Sequence, residues 1–198
     1  MLFVVTGPSG SGKSTLLRHV FKDLRHVAFS VSHTTRPPRE SERNGREYHF
    51  VDEAEFKRMI GRRAFVEWAV VHGHYYGTAK AEIVRRSRAA DVLLDIDVQG
   101  ARQVRERFPQ AVLIFILPPK STELKRRLRD RGEDDAATIA LRLKNAKREI
   151  REYKRFDYVV INDRLDRAVI ELEAVILGAR CRTSVRLRAI RAVLDSFH

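Results

Sequence analysis

The chain has 198 residues, 43% of them hydrophobic, with 39 Lys and Arg against 26 Asp and Glu for a formal net charge of +13 at pH 7. That is enough apolar material for one substantial core with small insertions; no apolar run approaches the ~20 residues that cross a bilayer, and the N-terminus lacks a basic-then-apolar secretion signal, so a cytoplasmic protein with no membrane partner is expected. Cys181 is the single cysteine, which excludes an internal disulfide and a thiolate metal cluster.

Leu2 to Val5 reads as a short buried strand, and Gly7-Pro8-Ser9-Gly10-Ser11-Gly12-Lys13-Ser14 with Thr15 follows it directly. The octet matches G-x-x-x-x-G-K-[ST], the phosphate-binding loop. Its glycines permit backbone conformations closed to residues with a Cβ, so successive N–H groups can face one anion. Lys13 brings a mobile charge to β- and γ-phosphates, and the Ser14 hydroxyl is placed to ligate Mg²⁺. Leu16, Leu17, Val20 and Phe21 recur at helical spacing and predict a helix over about 13–24, its positive dipole end aimed at the same phosphates. A nucleoside triphosphate or similar polyphosphate is the expected ligand. The loop does not identify the acceptor.

Residues 33–78 break the strand-and-helix rhythm: Pro37, Pro38, Gly45, Gly61, Gly73 and Gly77 interrupt short aromatic and β-branched stretches, with one helix expected at Asp52 to Ile60. A small inserted, mostly β subdomain is predicted. Ser32-His33-Thr34-Thr35-Arg36-Pro37-Pro38-Arg39, followed by Glu42 and Tyr48, gathers forked donors suited to a monoester phosphate, with prolines stiffening the backbone between them. An exposed basic loop serving solubility fits the same residues. Glu67, with Ser32 and Thr78, offers a carboxylate and two hydroxyls, the complement of guanine's N1–H and amino donors beside its O6 acceptor. An ordinary exposed strand carboxylate is the alternative.

Apolar runs return at Val92 to Ile96, Ala111 to Leu117 and Tyr158 to Ile161, with helices expected over about 79–90, 98–107, 121–130, 135–153 and 164–178. Strands this apolar suit a parallel sheet buried under helices on both faces. The fold class is α/β. Asp95 and Asp97 stand at the end of such a strand, where ligands bind in open α/β sheets. They could hold a Mg²⁺ water shell, orient Lys13, contact the acceptor, or simply be solvated. Around Gly132 two Arg-rich helices carry Lys125 to Arg131 and Arg142 to Lys147. In Glu123 to Arg131 and Lys144 to Lys154 the cations are interleaved with Asp and Glu as on solvated helix faces, and no nucleic-acid motif accompanies them, so no nucleic-acid partner is expected. His72 and His74 could chelate from a strand, but Gly and Tyr neighbours favour a loop, and no metal other than Mg²⁺ is predicted.

Taken together these segments resemble the guanylate kinase family, from residue 1 to about 178. GPSGSGKST at 7–15, SHTTRPPR at 32–39 with Glu42, Asn44-Gly45 and Tyr48 to Val51, Phe65 to Ala69, Tyr75 to Thr78, and Leu94 to Gly100 occur in the family's order. The resemblance implies transfer of the ATP γ-phosphoryl group to GMP on a P-loop-type core with a GMP-binding insertion and a helical lid. It implies that Arg36, Arg39, Tyr48 and Tyr76 hold the GMP phosphate, that Ser32, Glu67 and Thr78 read guanine, and that Glu42 supports the arginines. It also implies that Asp95 and Asp97 lie near metal and acceptor, and that Arg127, Arg131 and Arg142 are lid arginines reaching the triphosphate, catalytic together with Lys13 and Arg39. Gly132 is the expected hinge. His33 and Thr78 depart from residues common in the family, the latter keeping the hydroxyl. An interaction module of the same fold, or a related kinase of a phosphorylated sugar, would lack the phosphate loop or the guanine-reading set respectively.

The expected organisation is a domain over 1–180, with core segments 1–32, 79–120 and 154–180, GMP-binding insertion 33–78 and lid about 121–153. Residues 181–198 form a basic extension in which Leu187, Ile190, Val193, Leu194 and Phe197 recur at the spacing of an amphipathic helix. The sequence leaves monomer and homo-oligomer both open.

Overall fold

The computed structural model describes residues 1–71, 73–130 and 135–197. His72, Arg131, Gly132 and His198 lie outside the described residues. In chain order the elements are β1 (Leu2–Thr6), α1 (Lys13–Asp23), β2 (Val27–Phe29), β3 (Ser32–Thr34), β4 (Tyr48–Phe50), α2 (Glu53–Gly61), β5 (Phe65–Val71), β6 (His74–Ala79) and α3 (Lys80–Ser87). They continue as β7 (Asp91–Asp95), α4 (Val98–Arg107), β8 (Val112–Leu117), α5 (Ser121–Arg129), α6 (Ala136–Ile150), β9 (Tyr158–Ile161), α7 (Leu165–Arg180) and α8 (Thr183–Asp195).

Five strands form a parallel sheet in the order β2-β7-β1-β8-β9. Its central strands carry apolar side chains on both faces, because helices cover both. Phe3, Val5, Leu93 and Ile114 pack with Leu16, Leu17 and Val20 of α1 and Leu172 and Ile176 of α7. Val4, Leu94 and Leu113 pack on the other side with Ala101 and Val104 of α4. Val5 is in register with Asp95 on one neighbour and Ile114 on the other. The carboxyl ends of β1 and β7 therefore lie side by side. The fifth strand, β2, was not expected; at three half-buried residues it is too short to separate from a loop by apolar pattern.

The segment between residues 32 and 79 builds a separate four-stranded mixed sheet, β4-β3-β6-β5. Its own small core joins Phe56 of α2 to Phe65 and Tyr75, with ring centroids 4.5 and 5.2 Å apart. A Cβ on Gly77 would sit 3.0 Å from side-chain atoms of Phe56, Phe65 and Trp68 at once, so a larger residue would have to push these neighbours aside. Helix α2 starts where Asp52 accepts from the N–H of Glu55. Leu124, Leu128 and Ala146 form a further core between α5 and α6. The tail is helical as its pattern predicted, but α8 buries none of its residues. Among the described residues, no helix is long and apolar enough to cross a membrane.

Candidate active site

The phosphate loop leaves the end of β1 and closes on α1. Gly10 and Gly12 have φ of +87° and +86°, left-handed values that a side chain would strain. A Cβ on Gly12 would also lie 2.3 Å from Nδ2 of Asn162, and one on Gly7 would lie 2.5 Å from the carbonyl oxygen of Ile116. Gly12 caps α1 without a side chain, so the first-turn N–H groups stay available to an anion. Lys13 is ion-paired with Asp95, as the adjacent ends of β1 and β7 require. Ser14 is exposed in the same turn. Pro8 is buried, and Thr15 is exposed away from the cavity described below.

Asn162, which the sequence reading missed, braces this loop. Its amide donates to the carbonyl of Ser11 at 2.8 Å. It directly follows β9 at the ligand-binding end of the sheet, which is the signal that could have found it. Arg127 reaches the same place: Nη1 donates to the Ser11 carbonyl and Nη2 to the Asn162 carbonyl, both at 3.1 Å, while Nε donates to Glu123 at 2.8 Å. Its guanidinium is thus already seated against the loop from α5.

Across the cleft, Nη2 of Arg36 donates to both oxygens of Glu42 at 2.8 and 2.9 Å. The backbone N–H of Arg39 donates to the same carboxylate at 2.8 Å. Burial works against charge on both side chains, yet the pairing prevails: the Arg36 guanidinium is held above its usual range, with Tyr76 contributing, and the Glu42 carboxyl below its own. Arg36 lies 5.6 Å from the Tyr48 ring centroid, and the Tyr48 and Tyr76 rings meet edge-on at 5.9 Å. The hydroxyls of Ser32 and Thr78 are 3.2 Å apart. Glu67 is 2% exposed. Burial pushes its carboxyl up to about 7 and nearby Asp97 adds to this, while hydrogen bonds from Thr78 and the charge of Arg107 act oppositely. Its Oε1 makes no hydrogen bond among the described residues.

A cavity of about 300 Å³ brings the two sides together. It is lined by Gly7, Ser9, Lys13 and Ser14 from the loop, by Ser32, Tyr48, Glu67 and Tyr76 from the second sheet, and by Asp95 and Asp97 between them. Arg36, Arg39, Glu42 and Thr78 are not among its lining residues. Arg142 sits half-buried on α6 and does not line the cavity. One expectation needs refining: of the two carboxylates placed at the strand end, only Asp95 belongs to the strand. β7 ends at Asp95, and Asp97 caps α4, accepting from the Gly100 N–H and the Gln99 amide, each at 2.9 Å. A second missed residue, Glu149 of α6, lines the cavity; burial and Asp97 raise its carboxyl, and Lys13 lowers it. No sequence pattern marks it.

An anion loop and a buried polar acceptor wall, facing each other at the carboxyl edge of a parallel sheet, define a P-loop phosphotransferase. A family model described as Guanylate kinase matches residues 1–179. The chain belongs to the guanylate kinase family. It is 53% identical over 176 residues to the guanylate kinase of Dechloromonas aromatica (strain RCB), covering 88% of this chain and 87% of that one. Identity to the guanylate kinase of Geobacter sulfurreducens (strain ATCC 51573 / DSM 12127 / PCA) is 48% over 200 residues, covering 98% and 97%. The crystal structure of guanylate kinase from Anaplasma phagocytophilum matches with a TM-score of 0.77 at 30% identity, over 92% of this chain and 87% of that one.

Proposed function

We propose that the shared cavity is where this chain transfers the γ-phosphoryl group of ATP to GMP, with Mg²⁺. The reaction, ATP and GMP to ADP and GDP, is that of the guanylate kinase family to which the chain belongs. The observation that supports this site is the convergence of Lys13 and Ser14 with Ser32, Tyr48, Glu67 and Tyr76 on one cavity. In this reading Gly7 to Thr15 cradle the ATP phosphates. Arg36, Arg39, Tyr48 and Tyr76 hold the GMP phosphate, with Glu42 locking the Arg36 fork. Ser32, Glu67 and Thr78 read guanine, the unpaired Glu67 oxygen awaiting its amino and N1–H donors. Asp95 sets the resting position of Lys13, and Asp97 lies on the acceptor side.

Phosphoryl transfer needs positioning and charge neutralisation rather than a protein nucleophile, because the GMP phosphate oxygen attacks. Lys13, Arg39 and the arginines at 127, 131 and 142 supply that charge. Mg²⁺ would be held by the Ser14 hydroxyl and phosphate oxygens, with Asp95 through water. The donor set fits this ion: one exposed hydroxyl near one carboxylate, with no three-residue His, Cys, Asp or Glu cluster among the described residues, suits a cation that keeps its waters and takes phosphate ligands. When bound it neutralises charge on the β- and γ-oxygens.

The insertion at 33–78 serves as the GMP-binding subdomain and residues of about 121–153 as the lid, closing to exclude water. We assign the chain to purine nucleotide metabolism in the cytoplasm, with ATP and GMP, and neither nucleic acid nor membrane, as partners. The test is a coupled assay with GMP, AMP and UMP as acceptors, with Mg²⁺ and with excess chelator. GMP should be preferred strongly and activity should need the ion. An enzyme indifferent to the base overturns the reading of the acceptor wall.

A further inference from the structure

Strand β5, which carries Glu67, is the edge of the second sheet, and among the described residues its outward backbone groups have no strand to pair with. Helix α4 of the main sheet takes that place with side chains. The Gln103 amide oxygen accepts from the Trp68 N–H at 3.2 Å, and its nitrogen donates to the Trp68 carbonyl at 2.7 Å. One carboxamide thus copies the two bonds a neighbouring strand would make. One turn on, Nη1 of Arg107 donates to the Phe65 carbonyl at 3.0 Å and also to the Val66 carbonyl. The irregular register of β5 against β6 falls between Phe65 and Glu67, where this grip acts. Glu67 lies between the two holds. Directly above it is Gly100, where a Cβ would come within 2.5 Å of the Glu67 carboxylate. Gly100, Gln103 and Arg107 share one helix face at spacings of three and four. The neighbouring face, Ala101 and Val104, is buried in the main core.

We propose that Gln103 and Arg107 are positioning residues for base selection: through the backbone of β5 they fix the Glu67 carboxylate relative to the phosphate loop. The inference rests on the reading of Glu67 as the guanine-reading group. A buried acceptor discriminates only when its oxygens meet the base donors within hydrogen-bond geometry. Loosening either grip displaces Glu67 without touching the phosphate-holding arginines.

The experiment compares GMP with IMP, which lacks the exocyclic amine, in Gln103→Leu, Arg107→Ala, Arg107→Lys and Glu67→Gln, each with a thermal melt. Gln103→Leu and Arg107→Ala should raise KM for GMP by about tenfold or more, the scale on which small misplacements act. They should raise KM for ATP far less and lower the GMP:IMP ratio of kcat/KM. Arg107→Lys, which can still donate to a carbonyl, should recover much of the loss. In the Glu67→Gln background, Gln103→Leu should remove little further discrimination, because both act through one group. If Glu67→Gln itself leaves the ratio unchanged, the base-reading role falls. If Glu67→Gln lowers it while the α4 variants do not, or if they impair ATP and GMP equally, only the positioning role falls. Should Arg107→Ala not fold, Gln103→Leu and Arg107→Lys carry the same decision.

Discussion

The ammonium of Lys13 is ion-paired with the carboxylate of Asp95, 82 residues away in the chain, and both side chains are 19% exposed. The pair holds the cation in the mouth of the phosphate loop before any nucleotide arrives. Being partly solvated, it contributes at most about 1 kcal/mol to stability. In the proposed reaction its value lies in charge delivered to the reacting phosphates. Lys13→Met should lower kcat by about 10²–10³-fold, the cost of removing one preorganised donor, with little change in Tm. A fall in Tm that accounts for the lost activity would show the pair to be structural.

Glu67 gives the site a pH dependence. Its carboxyl, pushed up to about 7 by burial, is protonated in the empty site below that value. A protonated carboxyl cannot accept from both guanine donors, so kcat/KM for GMP should fall as pH drops through about 7. The GMP phosphate titrates nearby, at about 6, so the decisive quantity is the profile relative to Glu67→Gln. Stability runs the other way. A folded-state value above the ordinary 4.5 means the folded protein binds more protons between the two, so this contribution is present below 4.5 and lost as pH rises through 7. The Tm of Glu67→Gln should therefore gain on the parent at pH 8.5 compared with pH 5.

The fork of Arg36 on Glu42 sets a third expectation. Both oxygens of Glu42 are used by one guanidinium nitrogen, and one oxygen also accepts the Arg39 N–H. Nη1 of the same guanidinium donates to the Pro37 carbonyl at 2.7 Å, and a lysine, with one nitrogen, cannot hold both groups. Arg36→Lys should weaken GMP binding by about 1.5–3 kcal/mol, the scale of hydrogen bonds to charged groups, with KM for ATP unaffected. Equal KM for GMP would remove Arg36 from the phosphate-holding set.

His33 should make the second sheet acid-sensitive. Burial, with the neighbouring His49 whose ring centroid is 4.7 Å away, lowers its value from 6.5 to about 4. The unfolded chain then binds more protons between those values, so stability should fall as pH drops from 6.5 towards 4. His33→Phe keeps a ring beside His49 and Phe65 but cannot titrate. Urea midpoints across that range should be flatter in the variant than in the parent.

The phosphate loop, four of the five sheet strands and the helices from 13 to 178 could be read from spacing, because loop chemistry and apolar period are local properties. The proposed acceptor wall was legible as residue chemistry complementary to a monoester phosphate and to guanine, but the exposed-loop and strand-carboxylate alternatives stayed open until the family resemblance chose between them. What escaped depends on tertiary neighbours. β2 is a strand only because β7 offers it an edge, and Asp97 became a helix cap because the strand stopped one residue short of the end of its apolar run. Asn162, marked only by its place after β9, and Glu149, which no pattern marks, are each defined by a loop or a cavity built from residues far away in the chain.

The separate cores around Phe56 and around Leu124 and Leu128 share no buried residue with those of the main sheet. Val66 of β5 is nevertheless buried in the main core beside Val4 and Ala101, and Leu124 and Leu128 lie against Gly10 of the phosphate loop, so each appendage is joined to the sheet by a small apolar contact rather than by a shared core. The same partition sets an order of fragility. Amide protons in α2, α5 and α6 should exchange by openings that leave β1, β7 and β8 protected, so on warming the substrate-facing modules melt ahead of the sheet that supports them.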